Sequence, residues 1–164
     1  MQLFPTGENR MVTGFEPICD EHSKVLVLGS FPSVKSRETD FYYGNPQNRF
    51  WRVLAEAFRD AVPVSNDEKK TFLKKHRIAL WDVVTECEIK GSLDSSIKNA
   101  VIADLDRVLS FANIEKIILN GGKARDIFVK NYKNLCSSAV FLPSTSPLNT
   151  RFDKKLWIDA LKQV

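Results

Sequence analysis

Residues able to do chemistry concentrate in three short stretches of the 164-residue chain. The decapeptide YYGNPQNRFW, Tyr42 to Trp51, sets two tyrosines and two asparagines around a break at Gly44 and Pro46. A tyrosine in a loop can stack on a planar ring, and the carboxamides of Asn45 and Asn48 each offer one acceptor and two donors. Asn48 also stands where a helix begins, so a capping role suits it equally. The stretch LPSTSPLNTRF places the hydroxyls of Ser144, Thr145 and Ser146 between two prolines, followed by Asn149 and Arg151. Short hydroxyls and backbone amides stiffened by proline suit phosphate oxygens, and Arg151 can add charge-assisted bonds; a rigid turn is the plainer use. The third stretch, GSFPSVKS, offers Gly29 for close backbone approach, Pro32 to stiffen a turn, and the hydroxyls of Ser30, Ser33 and Ser36. Those hydroxyls could instead only cap local backbone.

Several familiar chemistries are missing. GSFPSVKS has neither the GxxxxGK[ST] spacing of a phosphate loop nor the GxGxxG of a dinucleotide site, and no GxSxG elbow occurs. The two histidines, His22 and His76, lie before the first strand and at a basic helix end, away from these loops. Cys19, Cys87 and Cys136 are far apart without CxxC or Cys/His pairing, which argues against a disulfide framework or a bound metal and fits reduced thiols in the cytoplasm. Glu38, Asp40, Asp82, Glu86, Glu88 and Asp94 fall near the loops, but no spacing marks an acid/base pair, and solvated or capping carboxylates are expected. A net charge of +4 with interspersed signs announces no polyanion-binding tail, while a pI near 9.0 tilts gently toward nucleic acid. No window approaches the about 18 to 20 apolar residues of a membrane span, and the start MQLFPTGENR lacks a signal-like apolar run.

The elements that must carry these loops follow from apolar patterning. KVLVLGSFPS reads as a strand buried on both faces, RIALWDVV as a second apolar run and EKIILNGG as a repeat of the buried pattern, and SAVFLPSTSP as a fourth strand running into a loop. Helices are expected over Gln47 to Arg59 with Pro46 at its start, over SNDEKKTFLKKH, IADLDRVLSFA and KARDIFVKNY, and over the terminal DKKLWIDALKQV. Gly91 to Ala100, GSLDSSIKNA, reads as a turn-rich loop. Strands alternating with helices imply a three-layer α/β/α sandwich with a central, mainly parallel, four-stranded sheet, in one domain over residues 1–164. In such sheets ligands sit beyond the carboxyl ends of the strands, so the loops starting at Gly29, Asn120 and Pro143 should share one edge.

Taken in order, LGSFPS, YYGNPQNRFW, LWDV with CE and GSLDSSI, LNGGKA and LPSTSPLN resemble the DNA-deoxyinosine (hypoxanthine-DNA) glycosylases of the uracil-DNA glycosylase superfamily, over roughly Ser23 to Phe152. The resemblance implies the same sandwich and hydrolysis of the N-glycosidic bond to a deaminated base in DNA, with the damaged nucleotide extruded into a pocket. It implies that Tyr43 stacks on the extruded base and that Asn48 takes the place of the catalytic asparagine, with Asn45 as runner-up. Unlike the uracil-specific branches, GSFPS carries no acid or asparagine and STSPLN no histidine, so water positioning falls to Asn48.

An asparagine can orient water without removing a full proton, which suffices when positive charge has already developed on the sugar. Backbone amides near Gly29 and Phe31, or the Asn45 amide, would stabilise the departing purine, in a substrate site taking in Gly29, Ser30, Phe31, Pro32, Tyr43 and Asn120. Ser33, Ser36, Ser144, Thr145, Ser146, Asn149 and Arg151 would hold the DNA. No metal or other cofactor is required, and a cytoplasmic monomer acting on DNA with deaminated bases, without membrane contact, is expected. A G:U/T mismatch-type uracil-DNA glycosylase is the nearest alternative. A non-catalytic nucleic-acid-binding α/β module and a small-molecule hydrolase are the alternatives of other classes.

Overall fold

The structure, a computed structural model, describes residues 10–162, so the start of the chain and the last two residues of the expected terminal helix lie outside it. Four strands form the parallel sheet: β2 (Val25–Gly29), β3 (Ile78–Asp82), β6 (Lys116–Asn120) and β7 (Ala139–Leu142), ordered β3-β2-β6-β7. Every residue of β2 and β3 is buried, as the apolar runs VLVLG and IALW require of strands covered on both faces. Registers of Gly29 with Asp82 and Leu119 with Phe141 bring the carboxyl ends level along one edge.

The helices are α1 (Val34–Thr39), α2 (Phe50–Phe58), α3 (Asn66–Lys75), α4 (Asp106–Leu109), α5 (Gly122–Asn131) and α6 (Lys154–Lys162). α3 starts as its sequence suggests: Ser65 accepts the Glu68 N–H, Asp67 and Glu68 fill the first turn, and Lys74 and Lys75 the last. α2 lies against α6, where the Phe50 and Trp157 rings meet edge to face at 6.1 Å. None of these helices is long and apolar enough to cross a membrane.

The structure corrects the reading of the middle of the chain. A second, antiparallel sheet of β1 (Met11–Thr13), β4 (Val84–Glu88) and β5 (Lys98–Ile102), ordered β1-β4-β5, flanks the parallel one. Most of β5, KNAVI, is exposed, so its pairing comes from the main chain and leaves no apolar alternation to read. IADLDRVLSFA forms only the short α4, because the Ala103 N–H donates to Val83 O at 2.9 Å and the Tyr132 hydroxyl donates to Ala103 O, holding the segment extended. α1, which begins in GSFPSVKS and runs on to Thr39, was also not expected; Ser33 caps it by accepting the Ser36 N–H at 3.1 Å.

Trp157 joins helix, core and loop: it is fully buried, and its indole N–H donates to Pro143 O at 2.8 Å, anchoring the loop that follows β7. Trp157→Ala should lower unfolding stability by about 3–5 kcal/mol, measured by urea denaturation. A loss under about 1 kcal/mol would show that α6 does not depend on this side chain.

Candidate active site

The strand ends converge on a cavity of about 450 Å³. Gly29 ends β2, Asp82 ends β3 and Asn120 ends β6; the loops from Ser30 to Ser36 and from Ser144 to Leu148 form walls, and Tyr43, Asn45 and Asn48 form another. The three expected loops therefore meet at one edge. Ser92 and Asp94, from the segment before β5, complete the rim.

Tyr43 is held in a costly conformation. Its φ of 52° lies in the left-handed region, which a bulky side chain avoids. The bend stacks its ring on Phe50, centroids 4.0 Å apart, and brings the hydroxyl over Gly29. A Cβ on Gly29 would stand 3.1 Å from that hydroxyl and 2.6 Å from Asp82 Oδ1, so this close approach requires glycine. The bend is fixed by Ser36, whose hydroxyl accepts the Gly44 N–H at 3.0 Å, and by the absence of a side chain at Gly44, where a Cβ would meet Thr39 Oγ1 at 2.0 Å.

Asp82 was expected to be a solvated carboxylate, and this is corrected: it is 5% exposed, and its Oδ2 is buried without a hydrogen-bond partner. Burial, with the Asp94 charge second, pushes its pKa up to about 7. The Tyr43 hydroxyl is likewise buried and lacks a partner of full hydrogen-bond geometry. Burial first, then the Asp82 charge, raises its pKa far above the ordinary phenol value, with the nearby Asn120 side chain, whose own bonds go to Thr145, opposing this in part. These are the two buried side-chain polar atoms among the described residues that lack partners, and both residues line the cavity. Asp94, at the rim, accepts the Ser30 hydroxyl at 2.8 Å. The clue in the sequence is Asp82 closing a wholly apolar strand.

The amides on the opposite wall are turn-bound. Asn45 Oδ1 accepts the Gln47 N–H at 2.9 Å and Asn48 Oδ1 accepts the Phe50 N–H at 2.9 Å, which starts α2 at Phe50 rather than Gln47. Each keeps its NH2 group and a second oxygen lone pair for a ligand.

The last loop is secured at both ends. Asn120 donates to Thr145 Oγ1 and accepts the Thr145 N–H, both at 3.0 Å, while Asn149 donates to Ser144 O at 2.9 Å and accepts the Arg151 N–H at 3.0 Å. Arg49 donates to Ser146 O at 3.0 Å and Asn149 O at 3.1 Å, a positioning role the sequence did not suggest. Thr145 and Ser36, expected to touch DNA, are buried with their hydroxyls engaged internally, so they fix loops and offer no surface to a phosphate. Ser33, Ser144 and Ser146 are partly exposed on the walls, whereas Asn149 and Arg151 lie outside the cavity lining. Leu148, at the rim, is 80% exposed.

Asn120→Ala leaves the buried Thr145 N–H unsatisfied and should cost about 1–3 kcal/mol of stability. Hydrogen exchange at the Thr145 amide should accelerate more than that at core amides of β2; uniform acceleration would show that the pair does not hold the loop locally.

Comparison with known proteins matches this arrangement. The profile of the uracil DNA glycosylase superfamily matches residues 16–162. A hypoxanthine DNA glycosylase of Methanosarcina acetivorans is 36% identical over 86% of this chain and 90% of its own length, and one of Methanosarcina barkeri is 30% identical over 92% and 98%. A Methanosarcina acetivorans chain solved by solution NMR and provisionally assigned as a uracil DNA glycosylase superposes with a TM-score of 0.82 at 32% identity, covering 93% of this chain and 98% of its own. With its strand-end cavity and this match over nearly its whole length, the chain belongs to the uracil DNA glycosylase superfamily.

Proposed function

We propose that the protein is a monofunctional DNA glycosylase that hydrolyses the N-glycosidic bond of deaminated bases, deoxyinosine first among them, in base-excision repair. The observation that carries this reading is the strand-end cavity uniting Tyr43, Asn45, Asn48 and the Gly29 loop. Its about 450 Å³ lies in the ordinary range of small-ligand sites and admits one extruded nucleobase. The relatives named as hypoxanthine DNA glycosylases support the choice of base.

In this reading the base stacks beside Tyr43, against the backbone of Gly29 to Pro32, with Asn120 fixing the floor. The Asn48 amide, with Asn45 second, orients a water toward C1′ of the sugar. Neither group is a base, so the bond to the nitrogen must largely break before water attacks. The Phe31 amide and its neighbours stabilise the departing base. Ser33, Ser144, Ser146 and Arg151 take the DNA backbone, giving salt-sensitive binding. Leu148, apolar and exposed at the rim, is placed to fill the vacated stack. We take the chain to act as one domain and as a monomer in the cytoplasm.

Oligonucleotides bearing one deoxyinosine, deoxyuridine or deoxyxanthosine test the reading through the free base released. Hypoxanthine should appear fastest, and Asn48→Ala should slow its release by about 100-fold or more. Release of uracil alone would point to the mismatch-type branch, and binding without base release to a non-catalytic module. Leu148→Ala should slow base release from duplex roughly tenfold while sparing single strands, where no stack is vacated; equal loss on both would remove the wedge.

A further inference from the structure

We propose that Asp82 is a catalytic acid of this site, delivering a proton to a ring nitrogen of the departing purine. The inference rests on the base-excising reading above and adds a residue that reading does not use.

The geometry comes first. Asp82 ends β3 at the cavity floor, 5% exposed, with Oδ2 unpartnered, and no Lys or Arg forms an ion pair with it among the described residues. Its Oδ1 and the Tyr43 hydroxyl converge over the α-carbon of Gly29, 2.6 and 3.1 Å from where a Cβ would stand. Asp82 Oδ2 and the Tyr43 hydroxyl are the two buried side-chain polar atoms without a partner among the described residues, and both residues line the cavity, where a ligand supplying polar atoms would complete them. A purine edge does so, and the edge that carries N7 presents a ring nitrogen that accepts a proton.

The electrostatics agree. The groups facing Asp82 are Tyr42 and Tyr43 from the segment before α2, both pushed to high pKa and therefore neutral, and Asp94 from the segment before β5, on which the Lys123 charge also acts. Burial and the Asp94 charge both favour the protonated carboxyl, which titrates at about 7, where an acid is strong enough to give its proton and still holds it near neutrality.

The step balances. As the C1′–N9 bond breaks, its electron pair goes to the purine and the Asp82 proton goes to the purine ring nitrogen, so neutral hypoxanthine leaves. Water adds to C1′ and loses one proton to solvent, and Asp82 regains one from solvent. A pyrimidine such as uracil has no imidazole nitrogen to take this proton, so the acid favours purines.

The test is single-turnover hypoxanthine release by the full-length chain from pH 5.5 to 9. Wild-type rates should fall above about pH 7, as Asp82 ionises. Asp82→Asn should be about 100-fold slower or more on deoxyinosine. Asp94→Asn, at the rim, removes the like charge, so Asp82 should ionise more readily and the alkaline fall should move to lower pH. A raised native pKa stabilises below the unfolded carboxylate value and loses that advantage as pH rises toward 7. Asp82→Asn should therefore melt higher than wild type at pH 8, with the gap closing toward pH 4, an effect separate from activity. Unchanged Asp82→Asn rates in an active wild type, or an Asp94→Asn profile with no shift, would overturn the acid alone. A wild type that releases no base overturns it together with the proposed function.

Discussion

The structure depends on β2 being paired in parallel on both sides. Because β3 and β6 run the same way beside it, Gly29, Asp82 and Asn120 end at one level. The order β3-β2-β6-β7 means the chain turns one way from β2 to reach β3 and the other way to reach β6, which opens a crevice above β2. Everything at the site is a consequence of what occupies that crevice. Had Gly29 carried a side chain, Asp82 Oδ1 and the Tyr43 hydroxyl could not both approach the end of the strand.

The site is expensive in stability and is held by plain hydrogen bonding around it. A tyrosine at φ 52°, a buried phenol without a partner and a buried carboxyl without a cation each cost free energy on their own. They persist because surrounding groups leave no alternative. Ser36 fixes Gly44, Phe50 stacks under Tyr43, and Asn120 with Thr145 closes the far wall. Buried hydroxyls that look like ligands from the sequence are thus the frame, and the groups left unsatisfied belong to two residues that line the cavity.

That distinction explains what was legible. β2, β3 and β6 were readable because double-sided burial makes a continuous apolar run, whereas β7 is a half-exposed edge strand; the convergence of three loops followed from parallel pairing alone. Tyr43, Asn45 and Asn48 were assigned to the site by the family resemblance, since the turn at Gly44 and Pro46 before an amphipathic helix leaves a capping or turn role equally open. β4 and β5 were not readable, since β5 is held by main-chain bonds and shows water most of its side chains. The direction of individual hydroxyls was equally hidden: Ser33 and Ser36 are three residues apart with the same chemistry, yet one caps a helix at the surface and the other is buried under Gly44. Asp82 was misjudged because an acid ending an apolar strand reads as a step into solvent, whereas the chain passes straight through buried Val83 into β4 and never leaves the core there.

The placement of charge completes the physical argument. In the proposed reading, the wall that would hold water carries the amides of Asn45 and Asn48 beside a Tyr43 phenol that burial keeps neutral, so it can orient a nucleophile without strengthening it. The floor carries a carboxyl that burial keeps protonated near neutrality. A site built this way puts its chemical effort into the departing base and waits for the sugar to become electrophilic. That division suits a purine, which has a ring nitrogen to take a proton as it leaves, and suits a pyrimidine poorly. The same burial that makes Asp82 a liability to folding above neutral pH makes it able to hold a proton until a base arrives. Moving that carboxyl into solvent would relieve the fold and leave an ordinary carboxylate with nothing to give.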